Sequence, residues 1–254
     1  MRETTAIAPH TPITHLDDRT VVVSGARQGS GVLLTDRLVL TCAHVVKTGS
    51  VLIAHPALPD RIRATVTWID YRLDVALLEA IEPVRPVPPA RLGVLDTREA
   101  IPGCEITGFP QVQRYGPDKR LEVDQYTVTV LPMAGRVRDL LVCDLDGPPA
   151  ARPDDEPAAL SGLSGGPVFV GDVLLGIARQ VPLQRDGRRV ECVPLGPVLT
   201  AEPFAQAYRR TGAVLCCATN ESTATSRGTC GTRRSTRGRS ASRTAVRRSS
   251  ASTS

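Results

Sequence analysis

Ser161-Gly162-Leu163-Ser164-Gly165-Gly166-Pro167-Val168-Phe169 is the stretch on which the reading of this chain turns. A serine sits between glycines, directly before an apolar run of β type that covers Val168 to Val170 and resumes from Val173 to Ile177. A glycine at 162 lets the backbone turn so that its N–H and that of Ser164 face one oxygen, the arrangement of an oxyanion hole. Gly165 and Gly166 keep side chains clear of that spot and tolerate positive φ. A Gly/Ser cluster between strands is also the ordinary composition of a turn. Taken alone, the stretch leaves both readings open.

A serine hydroxyl is a weak nucleophile near neutral pH. It needs a base to take its proton, and the base needs a partner that sets its tautomer. The chain has four histidines. His10 and His15 lie in a loose N-terminal segment, and His55 beside Pro56 reads as a surface residue at a strand end. His44 is expected to end an apolar strand, in the phrase Leu40-Thr41-Cys42-Ala43-His44-Val45-Val46, and is the candidate base. Asp74 heads Val75-Ala76-Leu77-Leu78 and is the candidate partner. Asp70, four residues earlier and close to Trp68, lacks such a run and reads as a turn residue.

Along the chain, short strands are expected at Thr20–Ser24, Val32–Leu34, Leu38–Thr41 and Val51–Ala54, with a tight turn at Gly29-Ser30-Gly31. Arg61 to Asp70 alternates as a half-buried strand does. Residues 81–98 hold Pro83, Pro86, Pro88 and Pro89 and read as a linker between two halves. Further strands are expected at Glu122–Leu131, Leu140–Asp144, Val173–Arg179 and Arg189–Pro194, with one closing helix over Val198–Arg210. From about Thr219, Ser, Thr, Arg, Gly and Ala dominate. Such a composition cannot bury enough apolar surface to fold, so the tail is expected to be disordered.

Composition agrees with many short strands. Proline and glycine number 21 each, and at 3% aromatic residues the core must rest on Val, Leu, Ile and Ala. The net charge of +5 belongs to the tail: residues 211–254 carry eight Arg and one Glu, or +7, which leaves −2 for the body. No nucleic-acid surface is therefore expected. No early run is apolar and long enough for a signal peptide or a membrane span. The seven cysteines are irregularly spaced with no CxxC pair, which predicts no zinc site, no disulfide framework and a reducing, cytoplasmic location.

Leu38-Val39-Leu40-Thr41-Cys42-Ala43-His44, Asp74-Val75-Ala76-Leu77-Leu78 and Gly162-Leu163-Ser164-Gly165-Gly166-Pro167 resemble, in that order, the three signatures of chymotrypsin-fold, trypsin-like serine peptidases. The resemblance is to the bacterial branch that includes HtrA-type proteases and covers roughly residues 20–200. It implies an all-β fold: two six-stranded antiparallel β-barrels, a short C-terminal helix and a disordered tail. The implied organisation is a loose segment at 1–18 and a peptidase domain at 19–210, followed by the tail at 211–254. The first barrel takes about 19–82 and the second about 100–200.

The resemblance further implies Ser164 as nucleophile, His44 as general base and then acid, and Asp74 as its orienting carboxylate. Gly162 and Ser164 supply the oxyanion N–H groups. The implied activity is that of a serine endopeptidase acting on proteins or peptides, with no metal and no cofactor. Leu163 stands where digestive trypsins have an aspartate, so activation through a freed N-terminus is not expected. Ala158, six residues before the serine, stands where trypsin is acidic, which implies a small or apolar P1 side chain. Arg179 and Gln180, in place of the usual Ser-Trp, are expected in substrate binding. The chain also resembles N-terminal peptidase modules of larger actinobacterial-style signalling or defence proteins, which implies other domains or effector proteins as partners.

A competing reading is a catalytically silent module that keeps the fold and binds protein; the presence of all three triad residue types argues against it. Gly162 to Gly166 also fits the Gly-x-Ser-x-Gly elbow of esterases. That elbow needs its histidine after the serine, and none of the four follows Ser164.

Overall fold

The computed structural model describes residues 16–46, 50–110, 114–115, 120–147, 160–182, 187–210 and 217–218. The first half runs β1 (Thr20–Ser24), β2 (Gln28–Leu33), β3 (Leu38–Thr41), the helical turn α1 (Ala43–Val46), β4 (Val51–Ala54), β5 (Arg61–Asp70) and β6 (Val75–Ala80). The second half runs β7 (Arg91–Gly93), β8 (Ile101–Gly108), β9 (Arg114–Tyr115), β10 (Arg120–Leu121), β11 (Asp124–Leu131), β12 (Leu141–Leu145), β13 (Pro167–Val170), β14 (Val173–Gln180) and β15 (Arg189–Pro194). Helices α2 (Leu195–Thr200) and α3 (Glu202–Arg210) and the two-residue strand β16 (Cys217–Ala218) end the described chain.

The β-branched and leucine-rich strands of the first half close into a six-stranded barrel in the order β1-β2-β3-β6-β5-β4. Closure leaves no edge, and Val21, Val23, Val39, Leu40, Ile53 and Leu77 on the two faces of the sheet are all shut off from solvent. In the second half, β13-β8-β11-β12-β15-β14 form a ring of six strands that the β13–β14 pairing closes. Its interior holds Cys104, Ile106, Val128, Val130, Cys143, Leu163 and Val168. β7 and β16 add in parallel beside β14. Among the described residues, β9 and β10 pair with each other alone. Two barrels are what the motifs implied. Among the described residues no helix is long and apolar enough to cross a membrane.

Three local expectations are corrected. Gly29-Ser30-Gly31 is not a turn but the middle of β2, in register with Val23, Val22 and Val21. The glycine at 29 serves close approach: a Cβ there would lie 2.8 Å from the Ser164 carbonyl oxygen and 2.7 Å from Val45 Cγ2. His44 does not end a strand; β3 stops at Thr41 and His44 is the second residue of α1. The closing helix is two helices broken at Ala201, whose ψ of 113° is extended. Pro203 has no N–H to give a continuous helix, and it fits only in a first helical turn.

The proline-rich segment after β6 is bound to the first barrel. Val84 N–H donates to Asp36 O at 2.8 Å and Ala90 N–H to Leu34 O at 2.8 Å. The buried Arg19 guanidinium reaches Leu33 O at 3.2 Å and Pro88 O at 2.7 Å. α3 packs on the same barrel, with Phe204 edge-on to Trp68 at 5.9 Å and stacked with Tyr208 at 5.9 Å. The Tyr208 hydroxyl donates to Ala90 O at 3.0 Å. In the segment expected to be disordered, Cys217 and Ala218 pair with Leu92 and Gly93. Residues 211–216 and 219–254, and the 1–15 part of the loose N-terminal segment, lie outside the described residues.

Candidate active site

His44 is delivered by α1, whose Ala43, Val45 and Val46 are buried and leave the imidazole half-exposed. Asp74 ends the turn before β6 and is itself buried, with a left-handed φ of 60° that a non-glycine residue adopts only under constraint. The constraint is its carboxylate. Asp74 Oδ1 accepts the His44 backbone N–H at 3.0 Å, and Oδ2 lies 2.8 Å from His44 Nδ1. A carboxylate only accepts, so Nδ1 carries the hydrogen and Nε2 is left with its lone pair. Asp70 does what its turn position suggested: its Oδ1 takes the N–H groups of Arg72 and Leu73 at 2.8 and 2.9 Å.

A third donor reaches the same carboxylate. Arg179, near the end of β14, donates Nε–H to Asp74 Oδ2 at 3.1 Å. Burial pushes the Asp74 carboxyl up, but the hydrogen bonds and charge of His44, with the charge of Arg179, hold it below the ordinary carboxylate value. Cys42 lies beneath, its thiol donating to Ala178 O at 3.2 Å. Burial, and then the Asp74 charge, push that thiol well above its ordinary value.

Ser164 faces this pair from the second barrel. Its loop is bolted to the first barrel by Ser30, a residue with no solvent exposure. Ser30 N–H donates to Ser164 O at 2.8 Å, and Ser30 Oγ donates to Gly162 O at 2.7 Å. Ser30 Oγ also accepts from Phe109 N–H at 2.9 Å, and Ser30 O accepts from Thr41 Oγ1 at 2.6 Å. Leu163, the apolar replacement noted in the sequence, is 2% exposed and anchors the loop in the second core. Gly165 has φ +90°, and a Cβ there would stand 2.0 Å from Ser30 O, so only glycine fits.

The loop's amides divide into two sets. Those of Leu163, Gly165 and Gly166 are taken by the carbonyls of Leu160, Ala178 and Leu163. Those of Gly162 and Ser164 donate to no protein acceptor among the described residues. This is the pair expected to meet an oxyanion. The Ser164 hydroxyl does not donate to His44; it donates to the Arg179 carbonyl at 2.9 Å. The structure thus brings Asp74 and His44 together directly, and brings Ser164 to them through Arg179.

Other sequence expectations fall differently. Gln180 turns to the buried Glu191, donating Nε2–H to Oε2 at 2.8 Å. Arg138 holds the other oxygen of Glu191 at 2.5 Å. Arg179 and Gln180, the first half-buried and the second exposed, thus direct their side chains to Asp74 and Glu191. Ala158 lies outside the described residues, as do His10 and His15. His55 is buried rather than on the surface: Nδ1 accepts from Ala57 N–H at 3.1 Å and Nε2–H donates to Asp18 O at 3.1 Å. Ser30 was missed as a site residue, and Arg179 was read as a substrate-binding residue with no role toward Asp74. Ser30 was legible only as a neighbour of glycines.

Cys42, His44 and Asp74 offer ligand atoms within 4.8 Å of one another. A thiol held in its protonated form by burial and a carboxylate already bearing a guanidinium make a poor cation cage. The same donors suit proton transfer.

A family model for the trypsin-like peptidase domain matches residues 29–177. No curated protein sequence matches the chain. Among solved structures, the Rv3671c protease from M. tuberculosis in its active form is similar, with 16% identity and a TM-score of 0.53 over 86% of this chain and 97% of that one. The serine endoprotease from Yersinia pestis is similar at 16% identity and a TM-score of 0.50, over 82% of this chain and 69% of that one. An inactivated protease paralogue of the scabies mite is similar at 20% identity and a TM-score of 0.54, over 77% and 96%. At these identities the likenesses concern the fold.

Proposed function

The chain belongs to the trypsin-like peptidase family and is a serine protease acting on protein or peptide, and from that premise we propose that it cleaves peptide bonds through an acyl-enzyme on Ser164, driven by His44 and Asp74. The observation that carries this reading is the 2.8 Å contact of His44 Nδ1 with Asp74 Oδ2, which leaves Nε2 as the free base. With substrate bound, rotation about the Ser164 Cα–Cβ bond exchanges the Arg179 carbonyl for that Nε2. Apo sites often hold such contacts loosely, and they tighten on the substrate complex.

Nε2 then takes the hydroxyl proton as Oγ bonds to the peptide carbonyl carbon. The charge that develops on the carbonyl oxygen falls to the Gly162 and Ser164 N–H groups, a role for which a single donor is worth about 10²–10³ in kcat. His44 returns the proton to the departing amine as the C–N bond breaks. A water molecule, deprotonated by the same nitrogen, cleaves the ester and restores Ser164. Asp74 stays ionised throughout and holds the ring.

Hydrolysis of a casein-type protein substrate tests this. Ser164→Ala and His44→Ala should each lower kcat by about 10⁴–10⁶. Activity unchanged in Ser164→Ala overturns the assignment. A catalytically silent binding module is the second reading, favoured by the hold of Arg179 on the Ser164 hydroxyl. Absence of all hydrolysis by the folded wild type selects it. The cysteine spacing supports a cytoplasmic setting, which cell fractionation tests. The family resemblance supports further domains or effector proteins as partners, which cross-linking to the Ser164→Ala protein tests.

A further inference from the structure

We propose that Arg179 is a positioning residue of this proton relay: its guanidinium holds the Asp74 carboxylate against His44, offsets part of that carboxylate's charge, and so sets the lowest pH at which the relay works. The inference rests on the assignment of Ser164, His44 and Asp74 above.

Asp74 Oδ2 carries both contacts, His44 Nδ1 at 2.8 Å and Arg179 Nε at 3.1 Å. The same residue's carbonyl takes the Ser164 hydroxyl at 2.9 Å. Arg179 therefore touches the carboxylate with its side chain and the nucleophile with its main chain. A neutral donor at this place would satisfy Oδ2 equally well. A guanidinium adds a full positive charge that never titrates in the working range. That charge repels a proton arriving on the imidazole.

Among the described residues, few charged or titratable groups lie around the pair. From the β3–α1 junction comes the Cys42 thiol, held protonated by burial and by Asp74. From β14 comes Arg179 itself. Behind it on β15 lies Glu191, whose charge Arg138 balances at the second oxygen. Arg27, whose N–H donates to Val45 O, and Arg72, in the turn that carries Asp74, have exposed side chains. Among these groups Arg179 alone is bonded to the carboxylate that faces the imidazole.

The experiment follows the second-order rate of labelling by a fluorophosphonate from pH 5 to 9, a probe that needs no knowledge of the substrate. In Arg179→Gln the acid limb of the profile should move up by about 0.5–1 pH unit. Arg179→Lys, which keeps the charge, should leave it within about 0.2 unit of wild type. Arg179→Met serves as a second uncharged variant should Arg179→Gln fail to fold, and must show the same shift. A midpoint unmoved in the uncharged variants, whatever happens to the plateau rate, overturns the proposal. So does an equal shift in Arg179→Lys. Ser164→Ala and His44→Ala are run beside them. Labelling that survives in those two sinks the triad assignment, whereas their loss with an unmoved limb in Arg179→Gln sinks only the role of Arg179.

Discussion

Ser30 commits its N–H, its carbonyl and its hydroxyl to the other parts of the site, and no water reaches it. Replacing it by alanine leaves Gly162 O and Phe109 N–H buried without a partner. Each such group costs about 1–3 kcal/mol. Ser30→Ala should therefore lower stability by about that amount in urea titration. It should also reduce kcat by about 10-fold or more, short of the ~10²–10³ of an oxyanion donor lost outright, because the loop that aims Gly162 N–H loses its tie. A stability loss with kcat intact would show that the tie does not position the donors. The triad residues were legible in the sequence because each sits in a phrase whose chemistry is local: a glycine-flanked serine, and a histidine and an aspartate beside apolar β runs. The roles of Ser30 and Arg179 were not legible. Both depend on which residues meet across two barrels more than a hundred positions apart, and nothing in the local sequence records that meeting.

At the scale of elements, α3 explains how the chain's second half returns to its first. Phe204 is fully buried between Trp68 of β5 and Tyr208, and Tyr208 anchors to Ala90. Phe204→Ala should cost about 3–5 kcal/mol and lower Tm by several degrees, with the labelling of Ser164 unchanged below the transition. A cost under ~1 kcal/mol would mean that α3 rests on the barrel without stabilising it. Most strands were legible to within a few residues, since alternation such as that of β5 follows from one buried face. The errors have physical causes. Gly29-Ser30-Gly31 carries turn composition, yet these glycines serve close packing inside β2, and composition does not separate the two uses. The split between α2 and α3 was signalled by Pro203, which the apolar periodicity of the segment hid.

At the scale of the whole molecule, two of the described carboxyls, those of Asp74 and Glu191, link stability to pH. Burial pushes Asp74 up, but His44 and Arg179 outweigh it. Burial likewise pushes Glu191 up, and the hydrogen bonds of Arg138 and Gln180, with the charges of Arg138 and Arg179, bring it below its ordinary value. A carboxyl lowered in the folded state binds fewer protons there than in the unfolded chain. Its stabilisation is therefore complete above the unfolded value of about 4 and is lost as pH falls through the lowered folded value. Thermal unfolding between pH 2 and 7 should show Tm falling below about pH 4, and falling less steeply in Asp74→Asn. Equal steepness in that variant would place the acid sensitivity elsewhere. The two-barrel fold was legible only through the order of three motifs, because strands this short and this evenly apolar do not by themselves name their partners.

The central claim is that one hydroxyl, that of Ser164, is made nucleophilic by His44 and Asp74. Mass spectrometry of the folded wild-type protein after exposure to a fluorophosphonate, with peptide mapping of the adduct, tests it most directly. The account predicts one adduct per chain, on Ser164, and none in His44→Ala under the same conditions. An adduct elsewhere, or none on the folded wild type, would contradict it.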